Sequence, residues 1–441
     1  MSNLNTAAGA DRLHIGFFGC RNAGKSSLVN AVTGQPMSVV SDVKGTTTDP
    51  VTKSMELLPL GPVVIIDTPG FDDSGALGDL RVLRSRRLIN RVDIAVLAVD
   101  HTVGLSAYDE ELLKLFQEKK IPALIALTKC DNGEVAREAV PGLAGFAGFA
   151  GLAGSDASGQ NAAGTPAIDY ASASEKQPSI PVICVSAETG YHLTEFKELL
   201  GHIRPEENPL RLVGDLIAPG DTVVLVCPID ASAPKGRLIL PQVKAIRDIL
   251  DAGAVCLTCR ETELQRTLDA LKEPPRLVIT DSQALGVVAP IVPADVPLTT
   301  FSILMARYKG FLECAIRGIA AATALPDQAR ILMAEGCTHH RQCEDIGTVK
   351  IPKMLQALCG KTFCFETSSG QGFPEDLSGY DLIIHCGACM LNDREVRFRM
   401  TCAEDQGIPF TNYGITLARC TGTLKRTLEI FPELAALLPE D

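Results

Sequence analysis

The stretch Leu13-His-Ile-Gly-Phe-Phe-Gly-Cys-Arg-Asn-Ala-Gly-Lys-Ser-Ser-Leu-Val-Asn-Ala-Val-Thr33 decides the fold. An apolar run, Leu13–Phe18, leads into a Gly-x-x-x-x-Gly-Lys-Ser pattern over residues 19–26, and a helical stretch, Lys25–Thr33, follows. Strand, glycine-rich turn and helix are the context that gives this pattern its chemistry. Backbone N–H groups of such a turn, together with the helix N-terminus, cradle phosphates. The candidate contacts are Gly19, Asn22, Ala23, Gly24, Lys25, Ser26 and Ser27. Lys25 is placed to reach the outer phosphates and Ser26 to ligate magnesium.

Outward from this stretch, further apolar runs occur at Val63–Ile66, Ile94–Val99, Ala123–Leu127 and Val182–Val185, separated by helical stretches such as Leu77–Arg91 and Asp109–Lys119. Continuous apolar strands between helices predict an α/β fold with a parallel sheet covered on both faces. The arginines of 77–91 read as a solvated helix face. A Gly/Ala/Ser-rich stretch at about 140–179 cannot offset the ordering entropy of its glycines and reads as a flexible insertion. Pro205–Pro209 marks a boundary. Beyond it, Thr222–Val226 and Arg237–Leu240 read as strands, Val243–Ala252 as a helix and Leu277–Thr280 as a strand. The last third returns to strands at Arg330–Met333, Thr362–Phe365 and Asp381–Ile384. A fourth, Ile408–Asn412, is confined by Pro409 to an edge or to its first residues. Three domains are expected, 1–206, 207–298 and 299–441, the last two being further α/β domains with mainly parallel sheets.

Three more motifs arrive in the order shown by GTPases of the translation-factor-related class, which the first domain resembles. Gly45-Thr-Thr-Thr-Asp49 resembles the first switch, with Thr47 closing over the γ-phosphate. Asp67-Thr-Pro-Gly70 resembles the second, with Asp67 on magnesium and the Gly70 N–H on the γ-phosphate. The reading makes Lys25, Thr47, Asp67 and Gly70 the catalytic set. Thr128-Lys129-Cys-Asp131 resembles the base-reading motif. Asp131 would accept the two N–H groups on the guanine edge, which adenine lacks. Ser186-Ala187 resembles the last base-contacting loop. Two departures stand out. Thr128 replaces the usual Asn, which weakens one contact on the guanine side. Phe71 stands where many GTPases carry a water-orienting Gln, so hydrolysis is expected to be slow or to use another device. Asn22 resembles the P-loop Asn of potassium-activated GTPases, where K+ stands in for an arginine finger; its plainer reading is a loop-stabilising amide.

A net charge of −12 argues against a broad nucleic-acid or anionic-membrane surface. No basic region followed by an apolar run opens the chain, so no signal peptide is expected. No segment nears the roughly 20 apolar residues that span a bilayer. The 15 cysteines read as reduced thiols, core residues and a metal site. The site candidates are Cys337-Thr-His339-His340 and His385-Cys386-Gly-Ala-Cys389, each just past a predicted strand. The C-terminal rim of a parallel sheet gathers ligands from distant loops. Cys337, Cys386 and Cys389, with His339 or His385 as fourth ligand, suit either a closed zinc site or an iron–sulfur cluster. Cys343 is a spare candidate, and Cys256 and Cys259 are read as structural.

A potassium-type GTPase domain followed by Cys-Thr-His-His and His-Cys-x-x-Cys resembles the maturation GTPases of iron–iron hydrogenases. The resemblance covers essentially the whole chain apart from the insertion. It implies a dimerising middle domain and a four-iron, four-sulfur cluster on Cys337, Cys386 and Cys389 with an exchangeable fourth ligand. It further implies a cytoplasmic scaffold that receives a diiron precursor from two radical-SAM maturases and delivers it to apo-hydrogenase, with GTP, Mg2+ and K+ regulating those contacts. A homodimer or higher assembly is expected, without nucleic acid or membrane. The competing reading is an RNA- or ribosome-associated GTPase with a structural zinc module.

Overall fold

The computed structural model describes residues 12–34, 51–68, 88–133, 135, 140–141, 149–151, 180–203, 205, 210–229, 238–336, 345–370, 372–389 and 391–438. The chain divides into two compact units, Asp11–Glu207 and Asn208–Asp441.

In the first unit, strands β1 (Leu13–Phe18), β2 (Val51–Leu57), β3 (Gly61–Asp67), β4 (Ile94–Asp100), β5 (Ala123–Thr128), β6 (Phe149–Gly151) and β7 (Ile180–Cys184) form one sheet in the order β2-β3-β1-β4-β5-β7-β6. Every pairing is parallel except β2 with β3. Alternate residues serve opposite faces. Ile15 and Phe17 pack with Leu28, Val29 and Val32 of helix α1 (Lys25–Thr33), and with Phe196, Leu199 and Leu200 of a helix at Leu193–His202. Phe18, Leu97 and Val99 pack on the other face with Leu112, Leu113 and Phe116 of α2 (Ala107–Glu118). Helix α2 starts at a capping box: Ser106 Oγ accepts from the Asp109 N–H, and the Asp109 carboxylate accepts from the Ser106 N–H. Strand order reverses at β1, so the turn after β1 sits where open α/β sheets bind ligands.

The second unit holds two parallel four-stranded sheets. One is ordered β11-β10-β8-β9, from β8 (Thr222–Val226), β9 (Val255–Cys259), β10 (Leu277–Thr280) and β11 (Leu298–Thr300). The other is ordered β13-β12-β14-β15, from β12 (Arg330–Glu335), β13 (Cys364–Ser369), β14 (Leu382–His385) and β15 (Phe410–Asn412). One apolar core runs through both, from Val223–Val226 to Ile331–Ala334 and Ile383–Ile384. Helices α3 (Phe301–Tyr308) and α4 (Leu312–Ala322) lie between the two sheets in sequence, and α5 (Asp393–Asp405) follows β14. The second sheet reverses order at β12, beside β14. Among the described residues no helix is long and apolar enough to cross a membrane.

Several expectations need correction. Arg237–Leu240 is no strand: Leu238 and Ile239 are irregular, Leu240 opens a helix that runs to Asp251, and Arg237 lies outside the described residues. Pro241 in the first turn, with its preset φ and no N–H to lose, turns this apolar run into a helix start. Strands β2, β9 and β11 all lie at sheet edges, outside the apolar runs that predict the other strands. Of the expected insertion, Phe149–Gly151 pairs alongside Ile180–Val182, adding an edge strand; most of 140–179 lies outside the described residues, as does helix 77–91 before Leu88. Pro409 falls just before β15, an edge strand, where its missing N–H costs no ladder bond.

Candidate functional site

The turn after β1 is built for close backbone approach. Gly19 has φ 133°, and a Cβ there would lie 2.2 Å from the Ala98 carbonyl oxygen of β4. Asn22 and Gly24 are left-handed, at φ 60° and 79°. Lys25 is buried, and its Nζ donates to the carbonyls of Gly19 (2.8 Å) and Cys20 (2.6 Å). The ammonium is thus held by the loop that it would leave for a phosphate. Burial pushes it down to about 8, partly offset by Asp67. Ser26 Oγ donates to Asp67 Oδ2 at 2.7 Å. The two magnesium candidates, from α1 and the end of β3, are therefore together. Thr47 and Gly70 lie outside the described residues.

The loop after β5 braces this turn. The buried Thr128 hydroxyl faces the Ala23 carbonyl at 2.7 Å and the Val99 carbonyl at 3.1 Å. Lys129, left-handed at φ 61°, pairs with Asp100 at 2.6 Å. Asp131 Oδ1 accepts from Ser186 Oγ at 2.5 Å, and Ser186 Oγ in turn accepts from the Thr189 N–H. Asp131 and Ser186-Ala187 thus converge from β5 and β7, while the Asp131 carboxylate stays exposed to a base. Sequence reasoning missed Ser106 and Asp109, which meet the P-loop Cys20 Sγ at 3.1 and 3.6 Å.

The second constellation lies at the C-terminal rim of the β12–β15 sheet. Cys386 directly follows β14, and its Sγ accepts from the Gly336 N–H (3.1 Å) and the Ala388 N–H (3.4 Å). Burial raises both thiols, Cys386 and Cys389. His385 is fully buried: Nδ1 bonds the Cys386 carbonyl at 2.8 Å and Nε2 meets Arg399 Nη1 at 3.1 Å. With Nδ1 carrying the proton, neither nitrogen is left to ligate a metal. Burial, then the Arg399 charge, lowers this ring to about 3 and keeps it neutral. Arg399, itself buried, also donates to Glu395 and to the Gly370 carbonyl. Cys337, His339, His340 and Cys343 lie outside the described residues. Among the described residues no three metal-binding side chains gather. The donor chemistry of Cys386 and Cys389, two thiols on one turn with backbone N–H groups aimed at one of them, fits a soft metal group.

Three family models match the chain. One, described as the hydrogen maturase F tetramerization domain, covers residues 313–430, and another, the hydrogen maturase F dimerization domain, covers 212–310. The third, described as a 50S ribosome-binding GTPase, covers 14–129. The chain belongs to the hydrogen maturase F family.

This maturase F chain carries a P-loop GTPase domain as its first unit. GTPase Der of Thermomicrobium roseum is 37% identical over 142 residues, 30% of this chain and 30% of Der. The tRNA modification GTPase MnmE of Desulforamulus reducens is 36% identical over 111 residues, 25% of this chain and 23% of MnmE. The chain thus spans less than a third of the length of these curated relatives. Among solved structures, Aquifex aeolicus Era bound to GDP and aluminium fluoride gives a TM-score of 0.32 at 19% identity, covering 56% of this chain and 93% of Era. The G domain of the T. maritima FeoB iron transporter gives 0.27 at 22% identity, covering 42% and 95%. Beyond the expected cysteines, the maturase F rim carries Lys309, Glu395 and Arg399. No sequence signal singles these out, because charged residues read as surface until the fold buries them.

Proposed function

We propose that this maturase F chain is a GTP-hydrolysing scaffold that holds a four-iron, four-sulfur cluster and carries a diiron precursor to apo iron–iron hydrogenase. The observation that carries the reading is the Gly336 N–H bonded to Cys386 Sγ, which ties the residue preceding Cys337 to the Cys386/Cys389 turn. Backbone N–H groups aimed at sulfur stabilise thiolate charge. Cys337, Cys386 and Cys389 would hold the cluster, whose unfilled iron position supplies an anchoring point for the diiron cargo. His385 orients the turn through the Cys386 carbonyl and leaves the fourth position to another group.

On the nucleotide side, Lys25 would swing from the Gly19 and Cys20 carbonyls onto the phosphates, with Ser26 and Asp67 on Mg2+. Asp131, steadied by Ser186, would read guanine, and Asn22 would help hold K+. Residues 1–206 form the nucleotide domain in this reading, 207–298 the dimerising part and 299–441 the cluster part. Self-association fits the two oligomerisation models matched. The two radical-SAM maturases are the expected donors of the cargo, in the cytoplasm.

Anaerobic iron and sulfide analysis of the wild type beside Cys386→Ser tests this. Equal iron and sulfide in the wild type, lost in the variant, supports the scaffold. Stoichiometric zinc in place of iron overturns it, and would favour the ribosome-directed alternative suggested by the 14–129 match.

A further inference from the structure

Lys309 caps the C-terminal end of α3 and is among the most deeply buried lysines described, at 3% exposure. Its Nζ donates to the Ala388 carbonyl at 2.8 Å and the Leu391 carbonyl at 2.7 Å, with Asp393 Oδ1 at 3.7 Å. Its own carbonyl accepts from Arg397 Nε at 3.5 Å. Both Nζ acceptors flank Cys389, and Ala388 is itself left-handed, at φ 54°. A non-glycine residue holds that conformation only where its surroundings impose it. Leu391, the second acceptor, packs toward Gly336, where an added Cβ would lie 2.8 Å from its Cγ. An ammonium desolvated this fully has no water to return to, so its bonds to the turn are charge-assisted and costly to break.

We propose that Lys309 is a positioning residue for the Cys386–Cys389 turn, fixing the thiols to the α3–α4 connector and placing a buried positive charge beside the group they hold. This rests on the cluster reading above. The connector is also the seam between the dimerization match, which ends at 310, and the tetramerization match, which begins at 313. The same ammonium therefore links the thiol turn to the end of the dimerization segment. The cluster's thiolates are anionic, and a neighbouring cation favours the more reduced, more negative state.

The test uses the full chain, with Lys309→Met and Lys309→Arg beside the wild type. In metal-free protein, hydrogen exchange at Gly387, Ala388 and Leu391 should be about tenfold faster or more in Lys309→Met, while α4 keeps its protection. In anaerobically reconstituted protein, the cluster's reduction potential should shift negative in Lys309→Met and return toward wild type in Lys309→Arg. If Lys309→Met does not fold, Lys309→Gln, which keeps an N–H donor without the charge, takes both measurements. Unchanged exchange at the turn, or a potential equal in all variants of a cluster-bearing protein, overturns the inference. A wild type without iron overturns the cluster reading instead, and the metal-free exchange result still decides whether Lys309 holds the turn.

Discussion

The Thr128 hydroxyl meets the Ala23 carbonyl at 2.7 Å, so the last residue of β5, which opens the motif ending at Asp131, braces the phosphate loop. Thr128, which stands where Asn is usual, thus gives this chain a hydroxyl that joins the base-reading motif to the phosphate loop. A Cβ on Gly24 would sit 3.3 Å from the Thr128 side chain, which shows how close the two loops lie.

Thr128→Val keeps the shape and removes the hydroxyl. The Ala23 and Val99 carbonyls lose a donor, and the loss should be about 1 kcal/mol of stability, with nucleotide affinity falling roughly fivefold. Urea unfolding and titration with a fluorescent guanine nucleotide measure both. Unchanged values in the two assays would mean that the hydroxyl does not brace the loop.

Asn22 separates its two readings by substitution. Its left-handed φ suits glycine as well as asparagine. Asn22→Gly should therefore keep nucleotide binding and lose the stimulation of GTP hydrolysis by potassium over sodium. Asn22→Ala should add about 1 kcal/mol of backbone strain. Potassium stimulation that persists in Asn22→Gly would leave only the loop-stabilising role.

Lys25 makes nucleotide binding depend on pH. Its folded value of about 8 lies below the ordinary 10.5, so burial penalises the charged form. Between those values the unfolded chain holds a proton that the folded chain lacks. Stability of the nucleotide-free protein therefore rises with pH across that window, and the full penalty applies below it. Phosphate favours the charged ammonium, so binding at about pH 8.5 should take up a proton, and affinity should weaken as pH rises further. Calorimetry in two buffers of different ionisation heat measures the uptake. Lys25→Met should abolish it, and equal apparent enthalpies in both buffers for the wild type would refute it.

Gly336 leaves little room beside the thiol turn. An added Cβ would meet Leu391 Cγ at 2.8 Å and Cδ1 at 3.0 Å, and Cys386 Sγ at 3.5 Å. Gly336→Ala should destabilise the second unit by about 1–3 kcal/mol through overpacking. It should also reduce iron retention while leaving nucleotide binding intact. Iron retention equal to wild type would show that the turn can shift away without cost.

The sequence alone determined the phosphate loop, the order of the nucleotide motifs, the α/β class and the cysteine motifs, because each is local. A tight turn needs its glycines, the lysine opens the helix that follows, and apolar runs must be buried. Edge strand β2 was not legible, since along Thr52–Leu57 exposed residues alternate with more buried ones and no continuous apolar run marks it. Only the tertiary structure decided what Thr128, His385, Arg399 and Lys309 do. His385 reads as one of two candidates, with His339, for a fourth ligand, and only the fold sets Arg399, 14 residues on, against its second nitrogen. Lys309 reads as surface until the Ala388 and Leu391 carbonyls, 79 and 82 residues away, close around its ammonium. The meaning of a buried charge lies in its partners, and chain folding, not local spacing, brings those partners together.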